Sequence, residues 1–368
     1  MRGIIRLAII ILAIIKSSFF WRRKKAEPSR ILIVHDLLLG DTLLLAPLMK
    51  RLHEKHPHSQ KYILAKPLFV PLFKTKPYGF IALKYNPKSF FDLFKIFLKG
   101  PYDQTFVAGD NRFSWLARAL GSMWIIGIAD DRPKWKNWML DEVKTFDSEP
   151  ATWADMMGRL VDGKNPKSYK KNEWISPKIK KSLLPSQTSK SYIVCHLGAS
   201  NPLKFWQANS WKLLIAALKD QGYEIVLSVG PKEEYLIEGV DPDHRYHHVS
   251  GTYSLLEMWA LINKEKLLVS IDTGIAHFAK LCNTPVVTLF GPGSPVCHGA
   301  GHFWKKSPHI DITKNLFACR DQNILFRRKI DWVKRCGRNN RECKTPGACM
   351  DIITPKQVID SINKNFNF

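Results

Sequence analysis

Acidic residues are scarce in this sequence of 368 residues, where 32 Asp and Glu stand against 56 Lys and Arg and leave a formal net charge of +24. Such a surface attracts anionic partners, whether nucleic acid, acidic lipid or a phosphorylated substrate. The sequence has no RNP, KH, zinc-finger or helix-turn-helix pattern, so we expect no nucleic-acid partner. A non-enzymatic basic protein that binds membrane or nucleic acid is the remote alternative.

A long apolar run is also missing. Residues 3–15 are apolar apart from Arg6, which is fewer than the roughly 20 residues that a membrane-spanning helix needs. Aromatic residues and the basic cluster 22–25 follow, where a secretory signal would have small residues for cleavage. We therefore expect residues 1–29 to be an uncleaved membrane anchor, held through residues 3–21 and followed by a cytoplasmic basic flank. A short spanning helix is one alternative. A core helix of the first domain is the other, which the polar, turn-prone residues 26–30 disfavour.

The spacing of the cysteines does not match the CxxC pattern of a standard metal-binding knuckle. The seven cysteines of this long chain do not indicate a secreted disulfide scaffold. We expect free or incidentally paired thiols in the late cluster and no cofactor, with a structural zinc or iron site as the weaker alternative. That cluster consists of Cys319, Cys336, Cys343 and Cys349.

The basic residues around the late cysteines favour an electrostatic patch for anionic lipid or a phosphorylated sugar. They are Arg327, Arg328, Lys329, Lys334, Arg335, Arg338 and Arg341.

From residue 30 to 162, strand-like apolar runs alternate with amphipathic segments, which is typical of a parallel sheet wrapped by helices. The predicted strands are residues 31–35, 62–65, 80–84, 104–108 and 124–128, and the predicted helices are residues 42–55, 88–98 and 112–120.

The basic stretch 163–190, with its three prolines, interrupts this alternation and is the predicted linker. The same alternation then returns over residues 191–350, and the segment 351–368 contains a helix, 355–365, with Thr354 as its N-cap. We predict an α/β protein of two doubly wound, Rossmann-like domains that face each other across a cleft. Strands are expected at 192–196, 224–229, 267–271 and 285–290, and helices at 211–221, 255–263 and 274–282.

The first candidate site is a glycine turn between a strand and a helix, in ILIVHDLLLGDTLLLAPL. Gly40 permits a tight turn, and Asp41 follows near the start of the helix, where its carboxylate can accept a proton from a hydroxyl. Asp41 can equally be a helix cap. The turn has neither the Gly-Lys-Ser/Thr of a Walker loop nor the GxGxxG spacing of dinucleotide folds.

The second candidate site follows the strand at 192–196. Gly198, Ala199 and Ser200 can present backbone N–H groups to an anion, and Lys204 adds a positive charge beside them. This arrangement suits a phosphate, although a single lysine is also common on any surface.

The third candidate site is LLVSIDTGIAHFAKLCNTPVVTLFGPGSP. A strand ends at Asp272, and the amides of Thr273 and Gly274 open a helix whose dipole can hold a diphosphate without a metal. Asp272 can accept hydrogen bonds from sugar hydroxyls. The alternatives are that Asp272 is only a cap and that His277 is a partly buried structural histidine.

In their order and spacing, these three elements resemble the lipopolysaccharide heptosyltransferase family, glycosyltransferase family 9, over about residues 30–362. The matching residues are Gly40, Asp41 and Pro47; Gly198, Lys204 and Trp206; and Asp272, Thr273, Gly274, His277, Phe290, Gly291 and Pro292.

The resemblance implies a GT-B fold and an inverting, metal-independent transfer of a sugar, usually from ADP-heptose, to the lipopolysaccharide core. Asp41 would be the general base and Lys204 would neutralise the departing diphosphate. Related transferases that use another nucleotide sugar or a protein acceptor are the alternative. The implied donor-side residues are Ser200, Lys204, Asp272, Thr273, Gly274 and His277, with Glu233, Glu234, Gly291 and Pro292 towards the nucleoside.

The implied partners are a nucleotide-sugar donor, a lipopolysaccharide or lipid-linked acceptor, and an anionic membrane surface. One part of the chain departs from the family. Family members often have Lys or Arg where His35 stands and small polar residues where Leu37, Leu38 and Leu39 stand. We therefore expect the acceptor side to differ from that of its relatives.

Overall fold

A computed structural model describes residues 2–19, 22–146, 148–178, 192–314 and 317–366. The chain divides into two compact units. Unit 1 consists of Met1–Lys167, Glu173–Pro177 and Ile324–Trp332, and unit 2 consists of Ser168–Asn172, Lys178–Asn323 and Val333–Phe368.

This division differs from the predicted boundaries. The N-terminal segment belongs to unit 1, and a late segment, Ile324–Trp332, also returns to unit 1. The C-terminal segment 351–368 belongs to unit 2. Residues 179–190 of the predicted linker lie outside the described residues.

Unit 1 is built on a parallel sheet with the strand order β3-β2-β1-β4-β5-β6. Up to residue 158, the elements are α1 (Arg2–Phe19), β1 (Arg30–Val34), α2 (Leu39–Leu43), α3 (Ala46–Lys55), β2 (Gln60–Ala65), β3 (Phe80–Lys84), α4 (Phe90–Phe97), β4 (Gln104–Val107), α5 (Phe113–Ala119), β5 (Trp124–Ile128), β6 (Glu142–Lys144) and α6 (Trp153–Gly158).

Unit 2 repeats this connectivity in the order β12-β11-β10-β7-β8-β9, again with parallel pairing throughout. Its elements to residue 313 are β7 (Tyr192–His196), α7 (Ala208–Asp220), β8 (Glu224–Val229), α8 (Tyr235–Val240), β9 (His247–Ser250), α9 (Leu255–Lys264), β10 (Leu267–Ile271), α10 (Gly274–Cys282), β11 (Val286–Phe290), α11 (Pro295–His298) and β12 (His309–Thr313).

The remaining elements are β13 (Ile324–Leu325), β14 (Arg328–Lys329), α12 (Ala348–Asp351) and α13 (Pro355–Asn365). Two doubly wound parallel sheets are thus confirmed. The predicted cap of α13 is also confirmed, because the Thr354 side chain accepts a hydrogen bond from the amide of Gln357 at 3.2 Å.

The central strands are buried on both faces, as parallel sheets covered by helices require. The residues of β1 from Ile31 to Val34 are fully buried, and so is every residue of β10. Helix α5 covers one face of the first sheet through Leu116 and Ala117. In unit 2, Trp206 is buried in the core and donates to the carbonyl of Ile353 at 2.9 Å, so it is a packed aromatic side chain.

The single helix predicted over residues 42–55 is wrong, because the chain forms two helices there, α2 and α3. Pro47 lies in the first turn of α3. Proline has no N–H to continue a preceding helix, and its ring clashes with the carbonyl four residues earlier, which belongs to Leu43 at the end of α2.

The N-terminal apolar segment forms α1, which packs against α5. Ala13 is fully buried, and Ile9 contacts the core of unit 1. Within the described part of the chain, no helix has both the length and the apolar character needed to cross a bilayer.

The predicted basic patch is wrong for Arg328. This residue begins β14, is only 1% exposed, and donates to the carbonyls of Ala129, Gly109 and Ile128 at 2.8, 2.7 and 3.2 Å. Asp131 lies 3.7 Å away. Arg328 therefore attaches the late segment to unit 1 and is not available to an anionic ligand.

Candidate functional site

The candidate residues follow the central strands of the two sheets. In a doubly wound sheet, ligands bind beyond the carboxyl ends of the strands where the strand order reverses. In unit 1 this switch point lies between β1 and β4, and Gly40 and Asp41 come just after β1. In unit 2 the switch point lies between β7 and β10. Lys204 comes after β7, and Asp272 comes directly after β10.

Asp41 lies in the first turn of α2 and is half-buried. The N-cap of this helix is Leu38, which makes no side-chain cap. The alternative that Asp41 is itself the N-cap is therefore wrong. Its position in the first turn places the carboxylate near the amino end of α2, and an ionised carboxylate there can accept a proton.

His35 supports the loop before Asp41. It is buried, and its Nδ1 accepts the amide of Leu37 at 3.2 Å. Burial, and to a lesser degree the charge of Lys66, lowers the pKa of His35 to about 3. His35 is therefore neutral at physiological pH. It holds the loop and does not replace the Lys or Arg that relatives often have there.

The three leucines before Gly40 have different environments. Leu37 is buried, and its Cδ2 would lie 3.0 Å from a Cβ placed on Gly109. Gly109 has a φ of +93°, which favours glycine. Leu38 instead projects into solvent. One leucine is therefore structural, whereas the next remains available on the surface.

In unit 2, Lys204 and Asp272 form a close ion pair. Lys204 Nζ donates to the carboxylate Oδ2 of Asp272 at 2.7 Å and to its carbonyl at 2.8 Å. Asp272 is only 7% exposed. Burial alone would raise the pKa of Asp272, but Lys204, followed by His298, lowers it below its usual value. Asp272 is therefore an ionised acceptor held at a fixed position.

Gly293 is required for this arrangement. A Cβ on Gly293 would overlap Oδ2 of Asp272. The Gly-Pro-Gly turn after β11 thus leaves room for the carboxylate, which is a packing reason for the glycine.

The amino end of α10 lies directly after Asp272. Thr273 is the N-cap, and its side chain makes no cap hydrogen bond. The alternative that Asp272 caps the helix is therefore wrong. By helix geometry, the first amides of α10 have no partner within the helix, so they can receive an anion beside Lys204.

His277 is buried in α10, and its Nδ1 has no hydrogen-bond partner. Burial, followed by Lys280 and His298, holds the pKa of His277 well below its usual value. His277 is therefore neutral and contributes no positive charge to an anion site.

Sequence analysis missed His298. Burial lowers its pKa to about 4, and its neighbours include Asp272, Lys204 and Arg335. Lys280 Nζ binds the carbonyl of His298 at 2.9 Å. The only signal in the sequence is its position shortly after the Gly-Pro-Gly turn. Its place beside the Lys204–Asp272 pair depends on long-range packing.

The loop containing Gly198 is already bound by a carboxylate. Glu233 Oε2 accepts the amide of Gly230 at 2.8 Å, and the amide of Ala199 also binds Glu233. Burial raises the pKa of Glu233 against the lowering effect of these amides. We predicted that the Ala199 amide would bind an external anion. That prediction is wrong, because Glu233 already accepts this amide. Ser200 is exposed beside the loop.

Glu234 and the turn after β11 are placed differently from Glu233. Glu234 is exposed, and its Oε1 accepts the amide of Lys232 at 3.2 Å. Gly291 and Pro292 are buried, and Arg320 Nε donates to the carbonyl of Gly291 at 2.9 Å. The structure therefore gives Gly291 and Pro292 a packing role, and their proposed place near a nucleoside stays a prediction.

The four late cysteines line one small cavity of about 10 Å³, together with Leu203 and Pro292. All seven cysteines of the chain are free thiols. Burial raises the pKa of Cys349 to about 11. Among the described residues, no group of three or more His, Cys, Asp or Glu is placed to hold a metal ion.

Comparison with known proteins gives the same family that the sequence motifs resemble, over more than half of the chain. The sequence model described as "Glycosyltransferase family 9 (heptosyltransferase)" matches residues 93–315. Lipopolysaccharide heptosyltransferase 3 of Escherichia coli is 24% identical over 277 residues, which cover 68% of this chain and 80% of that protein.

Two solved structures share the fold. A glycosyltransferase family 9 protein from Veillonella parvula has a TM-score of 0.68 at 17% identity and covers 92% of this chain and 97% of its own. A heptosyltransferase of E. coli, solved with ADP, has a TM-score of 0.67 at 18% identity, and the match covers 91% of this chain and 99% of that one. The fold is thus that of solved GT-B heptosyltransferases.

Proposed function

The chain belongs to glycosyltransferase family 9 and is a glycosyltransferase, and on that premise we propose that it transfers heptose from ADP-heptose to the lipopolysaccharide inner core. The proposed transfer is inverting, needs no metal, and takes place at the cytoplasmic face of the inner membrane.

The observation that carries this proposal is the Lys204–Asp272 pair at the amino end of α10. An ammonium group and unpaired helix amides together stabilise the negative charge that develops on a departing diphosphate. Because these groups supply positive charge at the phosphates, the chemistry does not require a metal. Asp272, held by Lys204, can accept hydrogen bonds from hydroxyls of the donor sugar.

Asp41 is the proposed general base. In the reaction, the acceptor hydroxyl oxygen forms a bond to the anomeric carbon, and the bond from that carbon to the diphosphate oxygen breaks. The hydroxyl proton passes to the Asp41 carboxylate, and the nucleoside diphosphate leaves with the electron pair. No general acid is needed, because the leaving group is already a stable anion.

The names of the similar proteins support the donor and the acceptor. The E. coli structure contains ADP, and the curated relative is a lipopolysaccharide heptosyltransferase. A transferase that uses another nucleotide sugar or a protein acceptor is the second candidate. The leucines at positions 37–39 favour it, since they depart from the family pattern on the acceptor side.

A membrane-surface location is supported by two features of the chain. The basic cluster 22–25 follows α1, and the net charge is +24. Basic residues beside an amphipathic helix favour anionic lipid surfaces. We propose that residues 3–21 anchor the protein peripherally at that surface.

The test combines binding and transfer. Purified full-length protein is melted with ADP, UDP, GDP and their sugar conjugates, and only a true donor should raise the melting temperature. Transfer is then measured with ADP-heptose and heptose-deficient core lipid, using Asp41→Ala as the inactive control. Stabilisation by a different nucleotide sugar would replace ADP-heptose as donor. No transfer from any heptose donor would overturn the heptose assignment.

A further inference from the structure

Unit 1 contains a cavity of about 700 Å³ beneath α1. Ile5, Ile9 and Ile10 line it from α1, Leu93 from α4 and Trp115 from α5, so its walls are mostly apolar. Its volume falls in the range of roughly 300–1,000 Å³ that is typical of small-molecule sites.

The cavity lies at the functional edge of the first sheet. Asp36, Tyr85 and Arg112 also line it, and each follows the carboxyl end of a different strand, β1, β3 or β4. Asp41 also follows the carboxyl end of β1, five residues after Asp36. The apolar cavity and the proposed base therefore belong to the same edge of one unit.

Two positively charged side chains border the cavity. Arg6 and Arg112 both line it and are exposed. Burial raises the pKa of Tyr85 to about 12, with Asp36 acting in the same direction and Arg112 and Arg6 opposing it. Both guanidinium groups thus act on the Tyr85 hydroxyl, and both line the cavity, so an anionic group bound there would be attracted by each of them.

The carboxylates nearby are already paired. Asp36 lies 3.2 Å from Lys66 Nζ, and Asp110 lies 3.2 Å from Arg112 and 3.0 Å from Lys136. Among the residues that line the cavity, two arginines stand against one aspartate, which favours an anionic ligand.

The two helices that line the cavity with Ile5 and Leu93, α1 and α4, also carry exposed apolar side chains. Helices α1 and α4 meet where Lys16 Nζ lies 4.7 Å from the centre of the Phe97 ring. We call the exposed apolar side chains of these two helices the apolar face. Exposed large apolar side chains on the surface of a protein can mark a site of interaction with a partner or a membrane. Its members include Ile4, Leu7, Ile11, Phe90, Phe91 and Phe94.

We propose that this cavity binds an acyl chain of the lipid-linked acceptor, while Arg6 and Arg112 bind its anionic head group and the apolar face contacts the bilayer. The proposal rests on the proposed transfer to a lipid-linked acceptor. The cavity has the size and apolar lining for a hydrocarbon chain, and its two guanidinium groups match a phosphorylated head.

Binding is tested with 1-palmitoyl-lysophosphatidic acid below its micelle concentration and the full-length protein, by titration calorimetry and by tryptophan emission. Trp115, Trp135 and Trp138 all line the cavity and should report occupancy. We expect saturable binding of one lysolipid per chain. Glycerol 3-phosphate, which has the head group without the chain, should not bind detectably.

Two neighbouring residues of α1 provide a matched pair. Ile10 lines the cavity and is 42% exposed, whereas Ile11 does not line it and is 47% exposed. Ile10→Glu and Ile11→Glu make the same chemical change on one helix turn. Ile10→Glu should weaken lysolipid binding by roughly tenfold or more, since a carboxylate opposes both chain and head group. Ile11 belongs to the apolar face and does not line the cavity, and no bilayer is present in this assay, so Ile11→Glu should leave lysolipid binding within about twofold.

A second variant tests the head-group contact independently of α1. Arg112→Gln should weaken the lysolipid by roughly tenfold, because a charge-assisted contact to phosphate is lost. Unchanged melting temperatures without ligand would show that each variant is folded.

Transfer assays separate this proposal from the proposed function. With an acylated acceptor, Ile10→Glu should raise KM without changing kcat, and with a deacylated acceptor it should have no effect. Equal loss of lysolipid binding in both glutamate variants, or no saturable binding by the natural chain, would overturn the cavity proposal. Saturable lysolipid binding without transfer from any nucleotide heptose would instead overturn the proposed function alone.

Discussion

Units 1 and 2 share a strand order but differ in the groups that follow their central strands. In unit 2, the Lys204–Asp272 pair joins the segments after β7 and β10. In unit 1, the segments after β1 and β4 meet through Leu37 and Gly109, which is an apolar contact.

The difference shows that topology fixes the location of a site and side chains fix its ligand. Fixed charges and helix amides in unit 2 suit a diphosphate. Unit 1 offers the carboxylate of Asp41 on an edge that also carries an apolar cavity lined by Asp36, Tyr85 and Trp115. We infer that unit 2 handles the anionic donor and unit 1 the acceptor.

The largest expected effect comes from Asp41→Asn. Loss of a general base should lower kcat by about 10²–10⁴-fold, whereas ADP affinity should stay unchanged because the residue belongs to unit 1. Steady-state transfer assays and calorimetry with ADP measure the two quantities.

Glu54→Gln is the matched control for Asp41→Asn. Glu54 is an exposed carboxylate on α3, the helix after α2, and its amide should leave kcat unchanged. A normal kcat for Asp41→Asn would remove the catalytic role from unit 1. A loss of ADP affinity in that variant would contradict the assignment of donor binding to unit 2 alone.

Lys204→Met should lower kcat/KM by roughly 100-fold, because a charged contact to the departing diphosphate is lost. ADP affinity should fall as well, since Asp272 then keeps a buried negative charge without its ammonium partner. Calorimetry with ADP and the transfer assay measure both effects.

A double variant separates ligand binding from folding. Asp272→Asn added to Lys204→Met removes the unpaired buried charge, so it should restore part of the lost thermal stability without restoring transfer. If Lys204→Met binds ADP as well as the natural chain does, the anion site of unit 2 lies elsewhere.

Much of the fold could be predicted from the sequence, because buried parallel strands are continuous apolar runs. Strands β3, β5 and β10 and helix α10 have the predicted bounds. The edge strands β6, β9 and β12 were not predicted. Their sequences, EVK, HHVS and HIDIT, are polar, and pairing with a neighbouring strand defines them more than local pattern does.

The site was predictable only where residues lie in local motifs. Local motifs predict Asp41, Lys204 and Asp272 as site residues, but the pairing of Lys204 with Asp272 across 68 positions depends on β7 and β10 being neighbours. The sequence did not predict that His298 lies beside the Lys204–Asp272 pair, nor that Arg328 is buried against unit 1. Their partners are far away in sequence, so no local pattern indicates them.

Acid should destabilise unit 2 more than unit 1. Burial lowers the pKa of His196 and His298, both in unit 2, to about 4, and that of His35 in unit 1 to about 3. Unfolded histidines have a pKa of about 6.5, so unfolding takes up protons between roughly pH 6.5 and 4. Each such group should therefore cost about 1.4 kcal/mol of stability per pH unit as pH falls through that window.

Urea unfolding at pH 7, 6 and 5, with hydrogen exchange to resolve the units, measures this loss. His298→Gln cannot take up the proton, so it should reduce the proton uptake of unfolding by about one. If the pH dependence of stability is unchanged in that variant, or if unit 1 opens at a higher pH than unit 2, the buried histidines are not the cause of the acid sensitivity.

Gly293→Ala should have a smaller effect, confined to the donor side. The new Cβ would overlap Oδ2 of Asp272 and lie 3.3 Å from Phe290 Cδ1, so Asp272 must move from its position beside Lys204. We expect ADP affinity to fall by roughly tenfold.

Two further alanine variants decide whether that loss is specific. Gly239→Ala in α8 places its Cβ 3.7 Å from Ala208 Cβ, and it should stabilise the protein by about 0.5–1 kcal/mol without changing ADP affinity. Gly109→Ala in unit 1 strains a backbone at φ +93°, so it should lower the melting temperature and leave ADP affinity intact. If Gly109→Ala weakens ADP as much as Gly293→Ala does, the donor is not bound by unit 2 alone, and the division of roles between the units fails.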